Sequence, residues 1–292
     1  MLTWPVASIG WVTSLIQEAE ASQKRINEFL KQIPSITNTN ELKTEIEGSI
    51  SFKNVHFTYE DTKIDALKGI TFEVKKGETL AIIGNTGSGK STILDLIGRL
   101  YEVDKGTIYI DGKEIKSLNL NSLRSNIGFV PQDPFLFSDS LRNNIKFGQN
   151  KASDNNIIEA SKLAVVHDNI INFKNGYDTI LGERGITLSG GQKQRVSIAR
   201  AFIKNPKILL LDDCLSAVDT ETEEQILNNI ELVTKGKTTI IVSHRISSAK
   251  NADIIVVLNN GIITQQGSHV QLINVEGYYK ELYQNQLREI SS

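Results

Sequence analysis

Residues 84–91 read GNTGSGKS, with glycines, a lysine and a serine at the offsets of G-x-x-x-x-G-K-[ST]. The chemistry of that pattern is phosphate binding. Gly84, Gly87 and Gly89 let the chain curl, so that backbone N–H groups of Asn85, Thr86 and Ser88 can turn onto phosphate oxygens. A helix starting there adds the partial positive charge of its N-terminus. Lys90 is predicted to reach β- and γ-phosphates and the Ser91 hydroxyl to ligate Mg²⁺, with Thr92 next along the same helix.

Two further runs carry chemistry. Residues 208–213, ILLLDD, are four apolar residues followed by two carboxylates. Asp212 fits the role of holding Mg²⁺ beside a phosphate loop, and Asp213 then stands where a carboxylate can meet an attacking water. Residues 188–192 read LSGGQ and continue as KQRVSIARA. Ser189 is an expected helix N-cap, and Gly190, Gly191 and Gln192 open that helix. A hydroxyl, exposed N–H groups and a helix dipole make this a second expected phosphate site.

The elements that must position these groups can be read from the pattern. TLAIIG, KILLLDD and TTIIVSH are short apolar runs ending in glycine or polar residues, as buried parallel strands do. Helical stretches at 192–202 and 222–232 lie between them, which predicts an α/β core with a largely parallel sheet. The earlier runs ISFKNVHFTY and ITFEV alternate and predict an antiparallel β subdomain.

The N-terminus has a different texture. Residues 1–16 carry no charge, and Trp4 and Trp11 lie seven apart, on one helix face. A helix of that length spans roughly 24 Å, short of the ~30 Å hydrocarbon core of a bilayer. The pattern alone therefore allows part of a membrane span or a buried helix. Ile26, Phe29, Leu30 and Ile33 continue a helical stripe that Pro34 is expected to end. Residues 35–48 are polar, lack aromatic residues and read as a linker.

Composition bounds the rest. The 292 residues carry a net charge of −2, which gives no electrostatic footprint for nucleic acid or for an anionic membrane surface. One cysteine, Cys214, excludes an intramolecular disulfide and fits a reducing compartment. No basic region precedes the first apolar stretch, so a cleaved signal peptide is not expected.

Taken together, these motifs resemble the nucleotide-binding domain of ABC transporters of the exporter type, a P-loop NTPase fold, over residues 50–283. LSGGQ, ahead of the Asp212 strand, matches the ABC signature. The resemblance implies ATP and Mg²⁺ as ligands, ATP hydrolysis, and an α-helical subdomain carrying the signature. Tyr59 in VHFTY resembles the aromatic that stacks on adenine. Gln132 in FVPQDPFLF resembles the glutamine that contacts Mg²⁺ and the transmembrane part. Glu183-Arg184-Gly185 resembles the X-loop, Ser216-Ala217-Val218-Asp219 the D-loop, and His244 in VSHR the switch histidine near the γ-phosphate.

The same resemblance implies a second nucleotide-binding domain as partner, with each ATP clamped between one chain's P-loop and the other's LSGGQ. It implies that residues 1–34 end the last transmembrane helix and extend it into the cytosol, that 35–48 are a linker, and that 49–292 are the nucleotide-binding domain. A membrane domain would then be a further partner, and the ATPase would lie on the cytoplasmic face of the plasma (inner) membrane. One residue departs from the pattern: Asp213 stands where most members have glutamate, as in the degenerate-site subunit of heterodimeric exporters. A homodimer with a slow site, or a regulatory module that binds nucleotide without useful turnover, is the alternative. A soluble ABC protein of DNA repair or translation would call for a coiled-coil insertion, tandem ATPase domains or a basic surface, and the sequence has none of these.

Overall fold

The computed structural model describes residues 3–38, 40–182 and 188–291. The chain divides into two compact units, residues 1–37 and 38–292.

The first unit is helix α1 (Thr3–Leu30), 28 residues long. It ends before Ile33, so the last member of the apolar stripe lies outside it. Pro34 disfavours helical geometry in the residue before it, and the chain leaves the helix ahead of that point. Among the described residues no helix is long and apolar enough to cross a membrane. The second half of α1 carries Glu18, Glu20, Lys24, Arg25 and Glu28.

Among its described residues the second unit holds the strands β1 (Ile50–Thr58), β2 (Asp65–Val74), β3 (Thr79–Gly84), β4 (Lys105–Ile110), β5 (Lys113–Glu114), β6 (Ile127–Val130), β7 (Ile208–Asp212), β8 (Thr238–Val242), β9 (Ile254–Asn259) and β10 (Ile262–Gly267). Its helices are α2 (Lys90–Ile97), α3 (Leu120–Ser125), α4 (Leu141–Lys146), α5 (Asp154–Leu163), α6 (His167–Ile171), α7 (Gly190–Ile203), α8 (Thr220–Val233), α9 (Ile246–Ala249), α10 (His269–Leu272) and α11 (Tyr278–Ser291).

The strands form two sheets. One is antiparallel in the order β2-β1-β4-β5; the other runs β10-β9-β3-β8-β7-β6. In the second sheet every pair is parallel except the edge pair β9–β10. All five residues of β7 and of β8 are buried, the burial expected where both faces of a parallel sheet are covered. One apolar core joins the two sheets through Phe52, Leu67, Leu80, Ile82, Leu210 and Val256. A second core gathers α4–α8 against β6 and β7, built on residues such as Leu141, Ile157, Val196 and Leu211. This is the helical subdomain, and α7 is packed against both α4 and α5 within it.

The segment read as linker divides between the two units. From residue 38 onward it belongs to the larger one. The N–H groups of Glu47, Gly48 and Ser49 donate to the Asp111 carboxylate at 2.8–2.9 Å. Thr44 N donates to Ser122 Oγ at 3.1 Å, and Ile46 is buried.

Candidate functional site

β3, β8 and β7 are neighbours in the parallel sheet, so the three motif-bearing strand ends come out side by side. Ligands of open α/β sheets bind at such carboxyl ends. β3 delivers the glycine-rich loop, β7 delivers Asp212 and Asp213, and β8 delivers His244 two residues beyond its end. In-register pairing of Asp212 with Val242 sets the heights of the carboxylate pair and the histidine segment relative to each other.

Two of the loop glycines are required by close approach. A Cβ on Gly84 would lie 2.1 Å from Leu258 O, and one on Gly89 would lie 2.5 Å from Ala66 O. Lys90 is buried, and its Nζ donates to Gly84 O at 2.9 Å and Asn85 O at 2.8 Å, which curls the loop over the start of α2. Burial pulls the Lys90 pKa down, and Asp213 and Asp212 pull it back up. Gly89, the N-cap of α2, offers no side-chain cap, so the first N–H groups of α2 keep their capacity for an anion. Ser88 Oγ is buried with no partner among the described residues, a polar atom a phosphate oxygen would satisfy.

Ser91 Oγ donates to Asp212 Oδ1 at 3.0 Å. Asp212 is 6% exposed, and burial raises its pKa against the opposing pull of Ser91, Lys90 and His244. A hydroxyl beside a carboxylate that is costly to bury is an all-oxygen donor set, suited to a hard divalent cation. Among the described residues no group of three or more His, Cys, Asp or Glu is assembled to hold a metal alone. A cation at Ser91 and Asp212 would thus share its coordination with ligand oxygens, the usual state of Mg²⁺ at phosphates.

Around these groups opens a cleft of about 300 Å³, lined also by Tyr59, Thr86, Gly87, Thr92, Gln132, Asp213 and His244. Asp213 lies immediately after β7 at a φ of 42°, with its N–H donating to Val242 O at 2.9 Å. Burial raises the Asp213 pKa, and His244 is the largest opposing influence. Tyr59 OH is hydrogen-bonded to Thr92 Oγ1 at 3.0 Å, and its ring meets Phe57 and Tyr101 edge-on at 4.9 and 5.4 Å.

The remaining predicted residues are outside this cleft. Ser189 caps α7 in a reciprocal box: its Oγ accepts from Gln192 N at 3.2 Å, and Gln192 Oε1 accepts from Ser189 N at 3.0 Å. Gly190 and Gly191 form the first turn, and a Cβ on Gly191 would lie 2.8 Å from Ala217 O. Asp219 caps α8, accepting from Thr222 N at 2.9 Å, and that bond lowers its pKa. Glu183-Arg184-Gly185 lie outside the described residues.

The sequence reading missed three features. Gln194, at the start of the second turn of α7, donates through Nε2 to Gln132 O at 3.5 Å and accepts from Ala217 N at 3.3 Å, tying the glutamine loop to the 216–219 segment. Glu223, 2% exposed, accepts from Ser247 and Ser248 Oγ at 2.8 and 3.0 Å and pairs with Arg245. Its position four residues after Asp219, on the first turn of α8, was a usable signal only for capping. An apolar groove of about 290 Å³ lies between Leu94, Leu100, Phe129, Phe147 and Ala201, close in sequence to Gln132 at the end of β6.

Residues 67–216 match the family model described as ABC transporter. The "Uncharacterized ABC transporter ATP-binding protein YknU" of Bacillus subtilis is 44% identical over 291 residues, covering 99% of this chain and 50% of the relative. The "ATP-dependent lipid A-core flippase" of Syntrophus aciditrophicus is 42% identical over 99% of this chain and 48% of its own length. Escherichia coli "Multidrug resistance-like ATP-binding protein MdlA" is 42% identical over 99% and 49%. A solved structure, "Structure of a bacterial Atm1-family ABC exporter with ATP bound", superposes with a TM-score of 0.90 at 38% identity, covering 98% of this chain and 51% of that one. The chain thus spans about half the length of the curated relatives it matches.

Proposed function

The chain belongs to the ABC transporter family, and from that premise we propose that it binds ATP with Mg²⁺ and hydrolyses it to drive export across a membrane. The observation that carries this reading is the convergence of Lys90, the Ser91–Asp212 pair, Asp213 and His244 at three neighbouring strand ends. Phosphoryl transfer to water asks a protein mainly for positioning and charge neutralisation, and these residues supply both.

On binding, the triphosphate takes the N–H groups of the loop and of the first turn of α2. Lys90 exchanges the carbonyls of Gly84 and Asn85 for β- and γ-phosphate oxygens. Ser91 and Asp212 would hold Mg²⁺ with Gln132 beside them, and the ion would supply positive charge at the phosphates. Asp213 accepts a proton from water as the water oxygen bonds to the γ-phosphorus and the bond to the β-bridging oxygen breaks, giving ADP and phosphate. A carboxyl whose pKa is raised by burial is the stronger base for this step. His244 orients the γ-phosphate, and Tyr59 presents its ring to adenine.

Ser189, Gly190, Gly191, Gln192 and Asp219 do not line the chain's own cleft. Their capped helix starts fit service to the ATP of a second nucleotide-binding domain. In the same reading, residues 1–34 continue a transmembrane helix of the exporter's membrane domain, the ATPase faces the cytoplasm at the plasma membrane, and the apolar groove beside the Gln132 loop receives the transmembrane part. Asp213 in place of glutamate favours a heterodimer in which this chain's own site turns over slowly. The relatives and the superposed exporter named above support this reading.

The test is equilibrium binding of radiolabelled ATP with and without Mg²⁺, followed by phosphate release. Saturable, Mg²⁺-enhanced binding is expected. Lys90→Ala should weaken it roughly 10- to 150-fold, the worth of a hydrogen bond to a charged group. Equal affinity in the variant would overturn the site.

A further inference from the structure

We infer that Gln286, on the C-terminal helix α11, is a positioning residue for His244; the inference rests on the reading above, in which His244 works beside the γ-phosphate. β8 ends at Val242 and α9 begins at Ile246, so His244 lies in a short connection between them. Arg245 is the N-cap of α9, and its side chain makes no capping bond. The first N–H groups of a helix need partners from elsewhere when the cap supplies none.

Gln286 supplies one from across the fold. Its Oε1 accepts from Ile246 N at 2.8 Å, and its Nε2 donates to His244 O at 2.9 Å. One carboxamide therefore pairs with polar groups on both sides of Arg245 and fixes the peptide planes that aim the histidine. α11 is a firm support for it: Tyr279 is fully buried, and Leu282 and Tyr283 pack in one cluster with Ile246 and Ala249. From the other side Ser243 Oγ accepts from Arg245 N at 3.0 Å, and the Arg245 guanidinium pairs with Glu223 and donates to Ser216 O. The backbone of the histidine segment is thus held between α8 and α11.

The two partners, a carbonyl and an N–H, require a side chain that both donates and accepts. Glutamine does this. An ionised glutamate only accepts and would face the His244 carbonyl with negative charge, and asparagine falls about 1.5 Å short, one C–C bond. Releasing the clamp lets His244 drift while the phosphate loop, held by Lys90, stays formed. The chemical step then suffers and ATP affinity does not.

The experiment uses the whole chain with Gln286→Ala and Gln286→Glu, each alone and Gln286→Ala also combined with His244→Ala. Steady-state hydrolysis gives kcat and KM for ATP. Proton NMR of the four histidines, with His244→Ala providing the assignment, reports on the ring itself. Both single variants should lower kcat about tenfold with KM within about twofold, since a displacement near 1 Å suffices for such losses. Gln286→Ala should cause no further loss once His244 is gone. The His244 ring resonance should shift while those of His56 and His167 stay. Unchanged kcat, an equal loss in both backgrounds, or an unmoved His244 resonance would each overturn the inference. A wild-type chain without ATPase activity, or full activity in His244→Ala, would instead sink the catalytic reading of His244, and the resonance would still decide whether Gln286 positions it.

Discussion

Replacing Asp213 by glutamate lengthens one side chain by one methylene at a position where the backbone cannot compensate. Asp213 N–H is held by Val242 O at 2.9 Å, and Asp213 O accepts from Ser216 Oγ at 2.9 Å. With the Cα fixed on both sides, the added bond of about 1.5 Å must appear as reach of the carboxylate into the cleft. If a misplacement of ~1 Å costs up to ~10²-fold, the aspartate leaves its base short of the water by a comparable factor. Asp213→Glu should therefore raise kcat by roughly 10- to 100-fold, or about 1.4–2.7 kcal/mol of barrier. ATP affinity should stay within about twofold, because charge and loop are unchanged. Phosphate release would be followed for wild type and Asp213→Glu, each with and without the candidate partner domain. The heterodimer reading expects a slow wild-type chain, a clear gain on substitution, and a mixed complex that is fast without it. Brisk turnover by the unmixed wild type, with no change or a loss on substitution, would refute both the reach argument and the degenerate-site assignment.

Ser189→Ala removes the Oγ that caps α7; in a mixed complex it should depress the partner's turnover while leaving ATP binding by this chain intact, as single-site labelling with a nucleotide analogue would reveal. Glu223→Ala removes two hydroxyl-to-carboxylate bonds and a pairing screened by the partial exposure of Arg245. A loss of about 3 kcal/mol is expected, a fall of about 6–12 °C in Tm by calorimetry, and a drop under 2 °C would contradict it. Asp95 has its pKa pushed up to about 6, mainly by burial and further by Asp212. Its folded pKa lies above the unfolded value near 3.9, so its stabilising contribution is complete at low pH and is lost as pH rises through about 6. Asp95→Asn should flatten that stretch of the urea-denaturation profile and stabilise the protein above pH 6 by about 1 kcal/mol after discounting for solvent screening.

Much of the site was legible because its chemistry depends on local spacing. A loop that wraps phosphate needs glycines and a lysine within one turn of each other, and buried parallel strands declare themselves as unbroken apolar runs such as TLAII and ILLL. Strands β4, β5, β6, β9 and β10 were not singled out. β5 is two residues long, and β10 alternates exposed and half-buried positions at a sheet edge, so neither produces a run that stands out, whereas β9, IIVVLN, is a buried apolar run of the same kind as TLAII. The segment at 38–48 reads as linker from its polar composition, and the acceptors for the backbone N–H groups of Thr44, Glu47 and Gly48 are Ser122 and Asp111, distant in sequence. Helix α1 kept its predicted helical character but ended at Leu30.

By itself the sequence determined the family and the α/β type of the fold, and it placed the candidate phosphate loop and the carboxylate pair after β7, because each follows from neighbours within a few residues. Only the tertiary structure decided which of those motifs meet. The strand order put the ends of β3, β8 and β7 side by side and left Ser189 and Asp219 outside the cleft of this chain. It also brought Glu223 and Gln286 onto the two sides of the histidine segment. Pairings of that kind join residues far apart in the chain, and they arise from the burial of apolar strand faces and the need to satisfy each buried polar group, neither of which leaves a local pattern to read.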